Sequence, residues 1–184
     1  GGRAVLHSAE VTYSVALARE HLRPFSKRRV YHFVGDLLIG ALTALGVNCG
    51  RNLSQIGNPS DANCFGSVGE YEVVGQFGKI VGSSQMITRD GALQHGSIPL
   101  TCDYQNVRRY LRCTSELDGY RASWIEQEIG RPTTYDQVAS VLRKNIEDTF
   151  SPIEQSDLNA GENQRVEELI SLFQGQAWTH EGKT

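Results

Sequence analysis

The sequence predicts an α+β domain, and three observations carry that prediction. Short β-type runs fill much of the first hundred positions. One long amphipathic helix interrupts them, and the C-terminal part is helical. Ala4 to Leu6 and Val11 to Leu17 read as strands around the turn His7-Ser8-Ala9-Glu10, the second with apolar and polar residues alternating. Pro24 and Ser26 announce a helix. Its apolar residues fall at Val30, Phe33, Val34, Leu37, Leu38, Ala41, Leu42 and Leu45, and Gly46 stops it. A loop rich in Asn, Ser, Gly and Pro follows, from Cys49 to about Gly69. Roughly 20 residues without regular structure is long for a compact domain, and such loops are usually functional or disordered.

Tyr71 to Val74 and Lys79 to Ser84 then read as a hairpin around Gly75-Gln76-Phe77-Gly78. Ala92 to Leu100 completes a small antiparallel unit after the turn Arg89-Asp90-Gly91. Short helical pieces, including Ala122 to Glu128, fall between Tyr104 and Gly130. Thr133-Thr134 ahead of Asp136 and Gln137 caps one helix, and Asn159 ahead of Glu162 caps another that Gly175 ends. No internal repeat is visible, and residues 1–184 read as a single domain.

Composition excludes several classes. Apolar residues make up 39% and charged residues 21% of 184, with a net charge of -3, as expected of an ordinary globular chain. Lys27-Arg28-Arg29 is too short for a nucleic-acid footprint. No apolar run reaches the length of a membrane span, since Asp36 and Gly40 break the longest. Cys49, Cys64, Cys102 and Cys113 match neither a metal-binding nor a dense disulfide pattern, so they read as reduced thiols of a cytoplasmic protein with no metal. The chain opens on Gly1-Gly2-Arg3, without Met, like the middle of a glycine-rich turn. An N-terminal segment is expected to precede it.

Five features suggest chemistry, and each has a plainer alternative. Cys64 lies in the polar loop, where a thiol is reachable, but most unpaired cysteines are small buried hydrophobes. Lys79 stands at the entrance of an apolar strand, either to point its head into a cleft or to protect a sheet edge. His95 in the next strand is a partner for a cysteine or a satisfied core histidine. Gly96 marks a close approach by a ligand or a neighbour. Gly1-Gly2-Arg3 could cradle an anion or form an ordinary turn.

Taken in order, these segments resemble the family of lipoate-protein ligases, octanoyltransferases and, more distantly, biotin ligases. The stretch Gly1-Gly2-Arg3-Ala4-Val5-Leu6-His7 resembles the end of the family's acyl-binding motif. Asn63-Cys64-Phe65 with Tyr71-Glu72-Val73-Val74 resembles the loop and strand before its lysine. The most specific likeness is Gly78-Lys79-Ile80-Val81-Gly82-Ser83-Ser84-Gln85, which resembles the lysine motif, and Gln94-His95-Gly96-Ser97-Ile98-Pro99-Leu100 resembles the next strand. The likeness runs from residue 1 to about residue 100 and continues more weakly to Trp178.

The resemblance implies an α+β fold with a mixed, largely antiparallel sheet packed on helices. It places the first strands before Gly1. It also implies a cysteine-dependent octanoyltransferase: Cys64 is the nucleophile and Lys79 its cationic partner, with Gly2, Arg3, His7, Gly82, Ser84, Gln85, His95 and Gly96 binding substrate. The acyl donor would be acyl carrier protein, with the basic cluster Lys27 to Arg29 as a candidate dock for it, and the acceptors lipoyl domains such as those of the glycine cleavage H protein and 2-oxoacid dehydrogenase acyltransferase subunits. No cofactor is expected; ATP and Mg belong to the alternative, a lipoate-protein ligase. An amidotransferase between lipoyl domains and a non-catalytic lipoyl-domain binder are further alternatives. Backbone near Gly82 and Gly96 is expected to approach the acyl group, and Val5, Val81 and Ile98 to wall its tail. Ser84 stands where the family commonly has alanine. Ser8 stands where aspartate often follows the histidine, which weakens any carry-over of ligase-type metal or nucleotide contacts.

Overall fold

The apolar alternation of the first hundred residues produces one three-stranded antiparallel sheet, seen here in a computed structural model that describes residues 4–54, 64–102, 109–110, 122–150 and 152–181. The strand β1 (Glu10–Ala18) pairs along its whole length with β5 (Gly91–Pro99), from Glu10 opposite Pro99 to Ala18 opposite Gly91. On the other side of β5 lies β4 (Gly82–Ile87), with Gly82 opposite Ser97 and Ile87 opposite Ala92. A smaller ladder joins β2 (Gly50–Arg51) to β3 (Val73–Val74). The expected α+β class with antiparallel sheets and helices is what forms.

The expected long helix is α1 (Lys27–Leu45). Its start is set by Ser26, whose hydroxyl accepts the Arg29 backbone N–H at 3.2 Å. Its end is set by Gly46, whose φ of 103° is the left-handed conformation that glycine adopts without steric cost. The three-four spacing puts Val30, Val34, Leu38 and Leu42 on one stripe, all buried. They pack in one cluster with Val11, Val47, Val73, Ile80, Val81, Ile98, Ile125 and Val138. Ser26→Ala removes one of the orphan N–H acceptors of the first turn and is expected to cost about 1 kcal/mol, read as a lower denaturant midpoint at unchanged slope.

This unit also holds the helices α2 (Ile125–Ile129) and α3 (Tyr135–Phe150). The capping of α3 follows the sequence: Thr134 N–H donates to Gln137 Oε1 at 2.9 Å, and Gln137 N–H to Thr134 Oγ1 at 3.3 Å. Asn145 Nδ2 of α3 donates to the Leu37 carbonyl of α1 at 3.0 Å. Compactness divides the chain at Ser151, into Gly1–Ser151 and Pro152–Thr184. The second unit holds α4 (Ala160–Gln174) and α5 (Gln176–Glu181), with the full capping box of Asn159 and Glu162 and an edge-on contact of Phe173 with Trp178 at 4.8 Å. Among the described residues, no helix is long and apolar enough to cross a membrane.

Three expectations need correction. Ala4 to Leu6 is not a strand: Ala4 makes an isolated bridge, its carbonyl accepting the Cys64 N–H at 2.9 Å. The loop from Cys49 carries regular structure at both ends, with β2 at Gly50–Arg51 and a 3₁₀ turn at Cys64–Gly66. The turn at Gly75 to Gly78 forms, with Gly75 N–H donating to the Gly78 carbonyl at 2.8 Å. Its two arms pair at the base, Val74 with Lys79 and the Ile80 N–H donating to the Val73 carbonyl at 3.1 Å, and then part into different sheets, β3 pairing with β2 and β4 with β5. The crossing between the sheets falls on Lys79, Ile80 and Val81.

Candidate functional site

Lys79 is fixed first by its backbone. It bridges Val74 on one side and Ala122 on the other, and its carbonyl accepts the Ser123 N–H at 2.8 Å. The turn before it is pinned by Glu128 of α2, whose carboxylate accepts the N–H groups of Gln76 at 2.9 Å and Phe77 at 3.1 Å. A Cβ on Gly75 would run into that carboxylate, which is why glycine stands there. The Lys79 side chain is 0% exposed. A lysine head with no access to water needs partners, because an isolated buried ammonium is costly. Its Nζ donates to Glu72 Oε1 at 2.8 Å and to the Cys64 carbonyl at 3.0 Å, and lies 3.6 Å from Cys64 Sγ. It also sits over the Phe65 ring, 5.6 Å from its centroid.

Cys64 opens the 3₁₀ turn Cys64–Gly66 as a free, partly exposed thiol. Phe65 next to it is buried and anchors the turn. Its ring lies against Gly82, where a Cβ would come within 3.0 Å of the ring tip. Gly96 answers a neighbour in the same way, since a Cβ there would collide with the Gly82 carbonyl and crowd the Tyr13 ring. Both glycines therefore make room for protein groups.

Above Cys64 is a cleft of about 600 Å³. Its walls include Cys64, His7, Gly82, Ser84, Gln85, His95 and Gly96, all expected from the sequence. Lys79 lies beneath it, reaching it through Cys64. Gly2 and Arg3 fall outside the described residues. Of the three residues expected to wall an acyl tail, Val5 lines the cleft, whereas Val81 and Ile98 are fully buried in the core cluster.

Sequence reasoning assigned no role to Glu72, Tyr31 or Ser83, which also line the cleft. Tyr31 and Ser83 belong to a polar layer behind it. Tyr13 Oη and Ser83 Oγ share a hydrogen bond of 2.7 Å, Gln94 Nε2 donates to Tyr13 Oη at 3.5 Å, and Gln85 Nε2 donates to Gln94 Oε1 at 3.1 Å. Tyr31 Oη donates to the Ser83 carbonyl at 3.3 Å. Burial pushes the Tyr13 phenol above its ordinary value, so it stays a neutral hydroxyl and keeps its place in this chain. Beside the cleft, burial pushes the Glu10 carboxyl up, but hydrogen bonds from Ser97, Thr12 and His7 outweigh it and leave the carboxyl below its usual range. The carboxylate of Glu10 thereby anchors His7, which lines the cleft. Among the described residues, no three His, Cys, Asp or Glu side chains converge where a metal could sit.

A thiol, a buried cation and an open cleft are the parts of covalent acyl transfer. The profile of the lipoyl protein ligase A/B catalytic domain family matches residues 1–147. The chain belongs to this family. It is 32% identical to octanoyltransferase LipM of Kyrpidia tusciae, over 98% of this chain and 72% of that protein. It is 31% identical to octanoyltransferase LipM of Clostridioides difficile, over 97% of this chain and 70% of that protein. Among solved structures it is similar to Ta0514 of T. acidophilum, a putative lipoate protein ligase with bound lipoic acid, at a TM-score of 0.74 and 15% identity over 97% of this chain and 68% of the other. That likeness is one of fold. The curated relatives support an acyltransferase, the class of enzyme expected from the sequence.

Proposed function

We propose that this chain is an octanoyltransferase that moves an octanoyl group from acyl carrier protein to a lysine of a lipoyl domain through a thioester on Cys64. The observation that carries the reading is Cys64 Sγ, at the floor of the cleft, 3.6 Å from the buried Lys79 Nζ. In the first half-reaction the sulfur of Cys64 attacks the thioester carbonyl. The carbon–sulfur bond to the carrier's phosphopantetheine breaks, and its thiol leaves with a proton. In the second, the acceptor ε-amine attacks the acyl-Cys64 carbonyl and the sulfur is released. Lys79 balances the negative sulfur in both. An amide is more stable than a thioester, so no ATP is consumed.

Gln85, Ser84, His95 and Gly96 form the wall against which the acyl group would lie, with Val5 as its aliphatic part. Lys27, at the start of α1, is exposed and also reaches the cleft, a position from which the Lys27 to Arg29 cluster can meet an acidic carrier. The acceptors are lipoyl domains, including those of the glycine cleavage H protein and the 2-oxoacid dehydrogenase acyltransferase subunits. Cys49 and Cys64 are free thiols, which suits the reducing cytoplasm as the place of reaction.

Incubation of the full-length enzyme with octanoyl-carrier tests the reading by mass. The wild type gains one octanoyl group, and Cys64→Ser gains none and loses transfer to the lipoyl domain. No adduct on the wild type, with ATP-dependent attachment of free lipoate surviving in Cys64→Ser, would replace this reading with a ligase.

A further inference from the structure

Neither half of the proposed reaction uses Glu72, yet it is built into the site. Its side chain is only 10% exposed and lines the cleft beside Cys64. One carboxylate oxygen accepts from Lys79 Nζ at 2.8 Å, and the other accepts the Gly69 N–H at 2.7 Å. The residue before it, Tyr71, has a φ of 70°, a left-handed backbone that aromatic residues rarely adopt. Tyr71 is held there by its N–H bond to the Asn52 carbonyl at 2.9 Å, by the His32 ring at 4.7 Å and by the Arg28 guanidinium at 5.0 Å. The chain thus accepts an unfavourable conformation at the step that delivers Glu72.

The charges explain what this arrangement achieves. A buried ammonium needs an anion. In the free enzyme Lys79 has two within reach, the Glu72 carboxylate and the Cys64 thiolate. Acylation makes the sulfur a neutral thioester. Among the described residues, Glu72 is then the one anion paired with Lys79. We propose that Glu72 is a positioning residue that keeps Lys79 charged and seated through the acyl-enzyme stage, so that the same cation meets the sulfur when it leaves. The inference rests on the octanoyltransferase reading. In the step concerned, the acceptor nitrogen bonds to the acyl carbon, the carbon–sulfur bond breaks, and its electron pair goes to the Cys64 sulfur beside Lys79. The proton shed by the nitrogen passes to water or to that sulfur. Without Glu72, no carboxylate holds the buried ammonium beside the neutral thioester, and the sulfur departs with no seated cation to receive it.

The two half-reactions are measured separately in full-length Glu72→Gln. Octanoylation of Cys64 is expected to stay within about tenfold of wild type, because the thiolate itself pairs with Lys79. Transfer from the preformed octanoyl-enzyme to a lipoyl domain is expected to fall about a hundredfold, the usual cost of removing one preorganised electrostatic group, with octanoyl-enzyme accumulating by mass. Equal slowing of both halves, or of neither, overturns the role. A stability cycle reads the pairing apart from catalysis. Glu72→Gln lowers the melting temperature of the wild type but not of Lys79→Met, where the ammonium is already gone. Equal lowering in both backgrounds also overturns the role. If the wild type forms no octanoyl adduct, the proposed function itself fails and this role with it, whereas an adduct with an uncoupled pair sinks only the role of Glu72.

Discussion

Lys79→Met is expected to reduce octanoyl transfer by roughly a thousandfold or more, since it removes the one charge that, among the described residues, contacts the reacting sulfur directly. Methionine fills most of the vacated volume, so the loss is one of charge rather than of shape. The Glu72 carboxylate is left without its partner in a nearly buried position, and breaking a buried pair is more costly than never having it. The penalty is at the lower end of the range, about 3 kcal/mol, because Glu72 borders the cleft and keeps its bond from Gly69 N–H. For a chain of this size that corresponds to a fall of about 8 °C in the melting temperature. Initial rates with octanoyl-carrier and a thermal melt of the same preparation check both halves. Activity within tenfold of wild type would show that the sulfur does not depend on this lysine.

The second large effect is expected at Gly96. Its backbone belongs to β5, the central strand, and lies opposite Tyr13 of β1 and Ser83 of β4. A Cβ there would overlap the Gly82 carbonyl and press on Tyr13 Cε1 at 2.7 Å. The first obstacle is backbone and cannot rotate away, so Gly96→Ala must spread β4 from β5. Overpacking of this kind costs about 3 kcal/mol. The displacement also separates Ser83 and Ser84 from His95, which face one another across the cleft wall. A melting temperature lower by about 8 °C, with acylation of Cys64 reduced in the protein that still folds at 20 °C, is the expected result. An unchanged melt would mean that the strands tolerate the methyl group.

Local signals were legible wherever a local interaction decides the outcome. The stripe from Val30 to Leu45 became α1, Gly46 ended it, and the Thr134 and Asn159 caps formed as written in the sequence. The cleft residues from Gly82 to Gly96 were found through motif order, because adjacent antiparallel strands carry them to one place. What escaped depends on partners distant in sequence. Glu72 sits among Tyr71, Val73 and Val74 and reads as an ordinary solvent-facing strand position; its meaning comes from a lysine on the far side of a turn. Val5, Val81 and Ile98 look alike in the sequence, and only the packing of the sheet on α1 decides that Val81 and Ile98 enter the core while Val5 lines the cleft. The separation of β3 from β4 was hidden for a related reason: Gly75 to Gly78 is a sound hairpin turn that does pair Val74 with Lys79, and only Ala122, reached after a long excursion, shows that Lys79 also pairs on its other side.

The depth of Lys79 also bears on how such an enzyme survives its own intermediate. An acyl group resting on Cys64 would sit within van der Waals reach of an amine, and amines capture thioesters. Capture by Lys79 would give an amide that no acceptor could remove, and each molecule would work once. The Nζ is instead turned toward the Glu72 carboxylate and the Cys64 carbonyl, with its protons engaged and no lone pair offered to the acyl carbon. The same contacts that keep the lysine useful as a cation keep it from becoming a suicidal acceptor.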